Sequence, residues 1–297
     1  MSLPPLPRWF WLLPVIALAA WWPIDPAWQS DDYLALHYVQ DGRAVLRDFV
    51  GPQYGATGVW SFYRPLITAS FWFEHLLAGA SPLLSHASNA AAHALSALLL
   101  ALIWRRFLGT GAAWLAGLCW AVSPTHVGAI AWAAGRVDSH STVWCLLAVW
   151  CALLAQERRV GAGRGAQWPT ALATLAALAS KEAAIVVPAL ATLCLAVREQ
   201  APSATARLRA GLRGAAGSWL VLLLWLPFRW LVLGKLGGYA AAAFDPVATT
   251  TGFGKGLLDF ASPGRWIGPP PALADAPSLW LLAGGAPVAL GLLLGAW

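Results

Sequence analysis

The sequence predicts an all-α fold: a polytopic membrane bundle of about eight spanning helices with a long first outer loop carrying interfacial helices. Three observations predict it. Of the 297 residues, 59% are hydrophobic and only 11% are charged, where a soluble domain carries about 25% charged residues. The apolar residues collect in runs approaching the ~20 residues that a spanning helix requires. The arginines are divided unevenly between alternate loops, as the positive-inside rule demands. Twenty tryptophans suit a chain with two membrane interfaces.

The first run, Trp9–Trp22, follows the single Arg8 and has no small-x-small cleavage site ahead of a soluble domain, so it reads as an uncleaved first helix. The first outer loop, 23–86, comes next. Within it Tyr33–Tyr38 reads as a short helix, and Leu66–Leu77 is too short and interrupted to span, so it reads as an amphipathic helix at the interface. The later spans are Ala87–Trp104, Gly111–Ser123, Val137–Ala155, Pro169–Ala179, Ala183–Val197, Ser218–Leu233 and Ser278–Trp297. The last run reaches the chain end without a polar cap, which reads as one transmembrane domain over 1–297, truncated at its C-terminus.

With the N-terminus in the cytoplasm, Arg8, Arg105, Arg106, Arg158, Arg159, Arg164, Arg198, Arg207, Arg209 and Arg213 lie on the inner side, opposed there only by Glu157 and Glu199. The net charge of +6 is then a topology signal and calls for no nucleic acid. All six histidines and all three lysines (Lys181, Lys235, Lys255) fall on the outer side, so titratable chemistry concentrates there. Cys119, Cys145, Cys151 and Cys194 sit inside apolar runs, without metal-ligand spacing or a disulfide pattern. Composition rich in Ala, Arg and Trp suggests a bacterial inner membrane.

Ionisable residues in such a chain are site candidates by default. Asp31 and Asp32 open the outer loop. Adjacent carboxylates can supply a general base, because their repulsion raises one pKa; they can equally cap the helix that follows. Asp48-Phe49-Val50-Gly51 and Tyr63-Arg64-Pro65-Leu66 follow, and Arg64 can hold a phosphate with paired N–H donors or reach lipid headgroups. His86, Asn89 and His93 share one helical face, suited to a pocket wall or to interhelical hydrogen bonds. Two histidines at that spacing are compatible with a divalent metal but do not indicate one, and no cofactor is called for. His126 ends the next span. Arg136, Asp138 and His140 follow, and Arg136 with Asp138 can form a loop ion pair or orient substrates. Ser180-Lys181-Glu182 opens another outer edge, with Lys181 a phosphate ligand candidate and Glu182 placed to favour a helix dipole. Arg229 and Lys235, beside Gly234, Gly237 and Gly238, add cations near the same surface. There is no G-x-x-x-x-G-K-[ST] loop and no strand–GxGxxG–helix unit. Many outer cations without a nucleotide cradle suggest a lipid-linked phosphate donor.

Taken in order, these motifs resemble the membrane O-mannosyltransferases with tetratricopeptide repeats, within the GT-C class of polyprenyl-phosphate-dependent glycosyltransferases. The resemblance runs from Asp31-Asp32 through Asp48-Phe49-Val50-Gly51, Tyr63-Arg64-Pro65-Leu66, His86-x-x-Asn89-x-x-x-His93, Pro124-x-His126 and Gly135-Arg136-x-Asp138 to Ser180-Lys181-Glu182, and fades after Pro188. It implies a GT-C-like bundle and inverting transfer, on the extracytoplasmic face, from a polyprenyl-phosphate sugar to a hydroxyl of a protein, glycan or lipid. It further implies Asp31 or Asp32 as the base and Arg64, Arg136, Lys181 and Arg229 as donor-phosphate ligands. His86, Asn89, His93, His126, Asp138 and Glu182 would line the pocket or support it. The chain departs from the family at Ser123, where His is usual, at Gly128, where Glu is usual, and near His37, where an Asn is expected. The tetratricopeptide repeats would lie beyond Trp297. The competing expectation is a transporter or flippase for a lipid-linked or polar solute, against which stand the absence of repeated halves and the clustering of polar residues at one face. A third is a non-catalytic relative.

Overall fold

The computed structural model describes residues 4–22, 27–58, 61–159 and 167–235. The expected span Ser278–Trp297, with Arg164, Lys255, Gly237 and Gly238, lies outside them. The described residues divide into a main unit, within Met1–Val122 and Gly128–Ala240, and a small one whose described part is Ser123–Val127. Among them every regular element is helical. In chain order the α-helices are α1 (Leu12–Ala20), α2 (Asp32–Tyr38), α3 (Gly42–Arg47), α4 (Pro65–Ala78), α5 (Pro82–Trp104), α6 (Thr110–Val122), α7 (Val127–Ile130), α8 (Arg136–Arg159), α9 (Trp168–Leu178), α10 (Val187–Arg198), α11 (Ala204–Gly214) and α12 (Ala216–Leu233).

Local chemistry sets several boundaries. Proline occupies the first turn of α4, α5, α9 and α10, where its missing N–H costs nothing. Asp41 and Ser203 cap α3 and α11 by accepting from Arg43 N and Ala206 N. Gly234 stops α12 in the left-handed region at φ 67°. The described part of the segment expected as a first outer loop is largely helical, and α4 covers the expected interfacial segment with Phe73, Leu76 and Leu77 exposed.

Among the described residues three helical segments are long and apolar enough to cross a membrane: Pro82–Trp104, Ala133–Arg158 and Ala216–Leu233. Arg8–Ala20, Thr110–Val122 and Trp168–Leu178 are shorter apolar helices. Packing within the main unit makes the long and short helices run alternately. Arg105, just after α5, donates to Pro4 O before α1 and to Thr110 Oγ1 of α6, while at the far ends of α1 and α6, level with the middle of α5, Trp21 Nε1 and His93 Nε2 meet Ala121 O at 2.8 and 3.0 Å. Glu157 of α8 binds Arg106 and Arg198. Gln167, ahead of α9, binds Arg213 O and Gly217 N.

Close approach depends on small residues. A Cβ on Gly117 of α6 would lie 2.7 Å from Leu13 and 2.9 Å from Ala101, so glycine lets α1, α5 and α6 touch. The result is a bundle with two chemically distinct ends. One carries Asp32, Asp48, Arg64, Glu74, Asp138 and Glu182; the other carries Arg105, Arg106, Glu157, Arg198 and the arginines of α11.

Candidate active site

The two adjacent aspartates part company in the fold. Asp32, in the first turn of α2, has no exposed surface. Its Oδ1 accepts from Ala134 N at 2.7 Å and its Oδ2 from Gln29 N at 3.0 Å. Asp31, one residue earlier, is exposed, and among the described residues its side chain accepts only a long bond from Ser30 Oγ at 3.3 Å. It occupies the N-cap position of α2 but its side chain caps nothing, so the expectation of a plain helix cap fails. Burial raises the Asp32 pKa above 3.8, opposed by its two backbone donors and by the charges of His86 and Arg136. The cause is desolvation, where the sequence suggested repulsion between neighbouring carboxylates.

Asp32 is one of several groups that grip the turn Ala133–Gly135 ahead of α8. Asn89 Nδ2 donates to Trp132 O at 2.9 Å and Ala133 O at 3.3 Å, and Arg136 Nε donates to Ala133 O at 3.2 Å. Gly135 admits no side chain, because a Cβ there would sit 2.1 Å from Gly128 O. The turn is therefore held through its N–H by α2, through its carbonyls by α5, and by steric closure from the segment before it.

Arg136 is fully buried and lies across the α4–α8 contact. Its Nη2 donates to Glu74 Oε2 at 2.7 Å and its Nη1 to Ser70 Oγ at 3.0 Å, and its guanidinium carbon lies 3.6 Å from the centroid of Phe71. Ser85 Oγ of α5 donates to the same Glu74 oxygen at 2.6 Å. The expected Arg136–Asp138 pair does not form. The two side chains are about 200° apart around α8; Arg136 turns inward, and Asp138 turns out to pair with Lys181. Arg136, expected to bind donor phosphate, is instead occupied in tying α4 to α8.

A second cation group sits where α4, α9 and α12 meet. Arg64 holds Glu182 with two hydrogen bonds, Nε to Oε2 at 3.1 Å and Nη2 to Oε1 at 2.7 Å, and lies 4.0 Å over Phe62. Burial alone would raise the Glu182 pKa; the Arg64 hydrogen bonds and charge, with a further contribution from Arg229, outweigh it and leave it below 4.5. Arg229 is fully buried beside Trp225. Lys235 donates to Gly58 O at 2.9 Å. The cations at this end are thus held largely by carboxylates and carbonyls of the protein itself.

His86, Asn89 and His93 do share a buried face of α5, and each meets backbone carbonyls: His86 Nε2 at Ala27 O, 3.3 Å; Asn89 as above; His93 Nε2 at Ala121 O. Of these, the His93 bond joins two helices, α5 and α6, while His86 and Asn89 hold the carbonyls of the segments before α2 and α8. His126 is half-buried in the turn Pro124–His126, in the small unit, where its N–H bonds Ser123 O. A side chain at Gly128 would meet open space, so the family's usual Glu has room there. Among the described residues no group of three His, Cys, Asp or Glu side chains converges as a metal-binding set.

Two carboxylates escaped the sequence reading. Glu74, central to the Arg136 network, lies in the run that reads as interfacial; the available signal was a lone acid on an apolar helix. Asp48 appeared only as part of a motif. It is buried and accepts from Tyr38 Oη (2.7 Å), Thr68 Oγ1 (2.8 Å) and Tyr54 N (3.0 Å), fixing α2, α4 and the loop between them. Burial, then the Asp48 bond, pushes the Tyr38 phenol up, which keeps it a donor.

Comparison with known proteins adds a second line. The chain is similar to curated protein O-mannosyl-transferases. It is 34% identical over 148 residues to Protein O-mannosyl-transferase Tmtc1 of Drosophila melanogaster, covering 50% of this chain and 17% of that one. To Protein O-mannosyl-transferase TMTC2 of Mus musculus it is 34% identical over 105 residues, 35% of this chain and 13% of the relative. To TMTC3 of Mus musculus it is 27% identical over 147 residues, 50% and 14%. The chain thus spans under a fifth of the length of these relatives. No protein-family model and no solved structure matches it.

Proposed function

We propose that this chain is the membrane domain of an O-mannosyltransferase-like glycosyltransferase. It moves a sugar, mannose by the analogy with its relatives, from a polyprenyl phosphate to a protein hydroxyl. The bundle spans the membrane about eight times with the N-terminus in the cytoplasm, and the Asp31 end faces out of a bacterial inner membrane. The observation that carries this reading is the division of labour between Asp31 and Asp32. One carboxylate is exposed and nearly unengaged, while its neighbour is consumed in fixing the backbone beneath it. A general base must be reachable and rigidly carried, and Asp31 meets both needs.

In this mechanism Asp31 removes the acceptor hydroxyl proton as the hydroxyl oxygen bonds the anomeric carbon from the side opposite the phosphate. The bond from that carbon to the phosphate oxygen breaks, its electron pair stays on the phosphate, and the configuration inverts. Asp32 is a positioning residue. Arg64, Lys181 and Arg229 are the cations assigned to the departing phosphate, each exchanging part of its present contacts for it, Arg64 from Glu182 and Lys181 from Asp138. Removing one such pre-placed donor typically costs about 3–4 kcal/mol of transition-state stabilisation.

The test is transfer from a panel of radiolabelled polyprenyl-phosphate sugars in membranes containing the chain, with Asp31→Asn and Asp32→Asn made separately. Asp31→Asn abolishes transfer and leaves thermal stability intact; Asp32→Asn lowers both. Full transfer by Asp31→Asn would remove the base assignment. Transport of a labelled solute without transfer would favour a carrier.

A further inference from the structure

The helix α11 plays no part in the proposed chemistry and lies at the opposite end of the bundle. Asp32 binds the turn just before α8, whereas α11 approaches the last turns of α8, and the 24 residues between those ends rise about 36 Å. That distance is comparable to the hydrocarbon thickness of a bilayer, about 30 Å. The anchoring contacts of α11 stay within the last two turns of its neighbours. A Cβ on Gly211 would lie 2.4 Å from Thr192 O, and one on Gly214 would lie 2.6 Å from Leu195, so two glycines seat it against α10. A cavity of about 300 Å³, lined on the α11 side by Ala210, Arg213 and Gly214, separates it from Ala152, Ala155 and Gln156 of α8 and from Glu199, so exposed Arg213 borders both the cavity and the surface.

The rest of its surface faces outward and has two kinds of side chain. Leu208 and Leu212 are one turn apart and more than 40% exposed. Arg207, Arg209 and Arg213 are exposed on either side of that pair. Among the described residues none of the three is paired with a carboxylate. Arg106 and Arg198, at the same end, differ: both are held by Glu157. Exposed Arg158 adds a further cation at the end of α8. A helix with two exposed leucines flanked by unpaired arginines fits a bilayer surface, with leucines at the acyl boundary and guanidinium groups among the phosphates.

We infer that α11 is an interfacial anchor that selects anionic phospholipid. Its leucines enter the acyl region of the leaflet at the arginine-rich end, and Arg207, Arg209 and Arg213 hold the phosphates of acidic headgroups. Phosphate matches guanidinium by paired N–H donation. The zwitterionic headgroup of phosphatidylcholine offers the same phosphate but no net charge, so the site discriminates by charge. This inference needs only that the chain lies in a membrane and is independent of sugar transfer.

The experiment is native mass spectrometry of the purified full chain, titrated with phosphatidylglycerol against phosphatidylcholine. A surface arginine contributes about fivefold to anionic-lipid binding, and one lipid engages one or two of them. The chain is therefore expected to prefer phosphatidylglycerol by about tenfold. Raising salt weakens that preference. The triple substitution Arg207→Gln/Arg209→Gln/Arg213→Gln removes it, and the triple substitution to Lys retains it. A Gln triple that keeps the full preference overturns the inference, as does a Lys triple that loses it equally. Tighter binding of a short RNA or an acidic peptide than of phosphatidylglycerol would assign the arginines to a soluble polyanion and overturn it too. A nitroxide on Leu212→Cys, in a background with the four native cysteines replaced, should collide more with oxygen than with a water-soluble nickel chelate in nanodiscs. The reverse order would place the helix in water.

Discussion

Replacing Glu74 by Gln removes one negative charge from the interior of the bundle and alters its shape little. Arg136 has no exposed side-chain surface and Glu74 has 11%. The groups still in contact with the guanidinium are neutral, Ser70 Oγ, Ala133 O and the face of Phe71; the Asp32 carboxylate feels the Arg136 charge but makes no bond to it. Breaking one side of a buried pair costs about 3–5 kcal/mol, because the surviving charge is left uncompensated. A neutral hydrogen bond from Arg136 to the new amide oxygen returns about 1 kcal/mol. The net expectation is a loss of about 2–4 kcal/mol, or on the order of 5–15 °C in melting temperature for a chain of this size. The assay is heating of the purified full chain with a thiol-reactive dye, since Cys145, Cys151 and Cys194 are half-buried and become reactive as the helices part. The control is Glu74→Leu with Arg136→Met, which removes both charges and is expected to melt well above Glu74→Gln. A Glu74→Gln melting within about 2 °C of wild type, or a double variant no better than the single, would refute the claim that Glu74 compensates Arg136.

Three further expectations follow from the same end of the bundle. Gly135→Ala forces a methyl against Gly128 O; it should cost about 1–3 kcal/mol and reduce transfer, because Ala134 N would move from Asp32, and a stable, active variant would show the turn to be yielding. The Arg64–Glu182 pair holds the Glu182 pKa below 4.5, so its stabilisation is present above that pH and is lost as pH falls through the lowered value. The melting-temperature gap between wild type and Arg64→Ala should therefore narrow on acidification below 4.5, and a gap constant with pH would place the stabilisation elsewhere. Lys181→Gln should lower transfer about a hundredfold while barely changing thermal stability, since its pair with Asp138 is half-exposed and contributes at most about 1 kcal/mol; equal loss of both would make Lys181 structural.

Apolar runs gave away the helices, because a segment that must bury or face lipid all round announces itself by composition. Seven of the expected spans coincide with helices within a few residues. The gathering of arginines at one end was also legible, since loop charge is a local property. Partner choice was not. Arg136 and Asp138 look adjacent in the sequence, but a 3.6-residue period turns them to different sides, and their partners, Glu74 on α4 and Lys181 in the turn after α9, lie 62 and 43 residues away. The same period separates Asp31 from Asp32 by about 100°, so one carboxylate turns into the fold while its neighbour stays in solvent. Glu74 was hidden in a run dominated by Leu and Phe. Only the approach of α8 explains why an acid is kept there.

The charges at the Asp31 end serve two purposes, and their partners separate them. Asp32, Asp48, Glu74 and Arg136 are buried and engaged by backbone groups, by Tyr, Thr and Ser hydroxyls or by one another, so they set the position of α2, α4, α5 and α8 and have little capacity for a ligand. Asp31 is outside that set, and Lys181 and Asp138 retain solvent contact. A cation held by an exchangeable carboxylate is already oriented before an anion arrives, and it need not be stripped of water a second time. An arriving phosphate would displace a carboxylate from a standing guanidinium or ammonium group, and the freed acid would be left near the new anion. Binding should then be favoured when Asp138 is neutralised. Asp138→Asn is expected to tighten the polyprenyl phosphate, read as a lower KM for the donor, even though the same substitution removes an ion pair. A raised KM in that variant would mean that Asp138 positions Lys181 more than it competes for it.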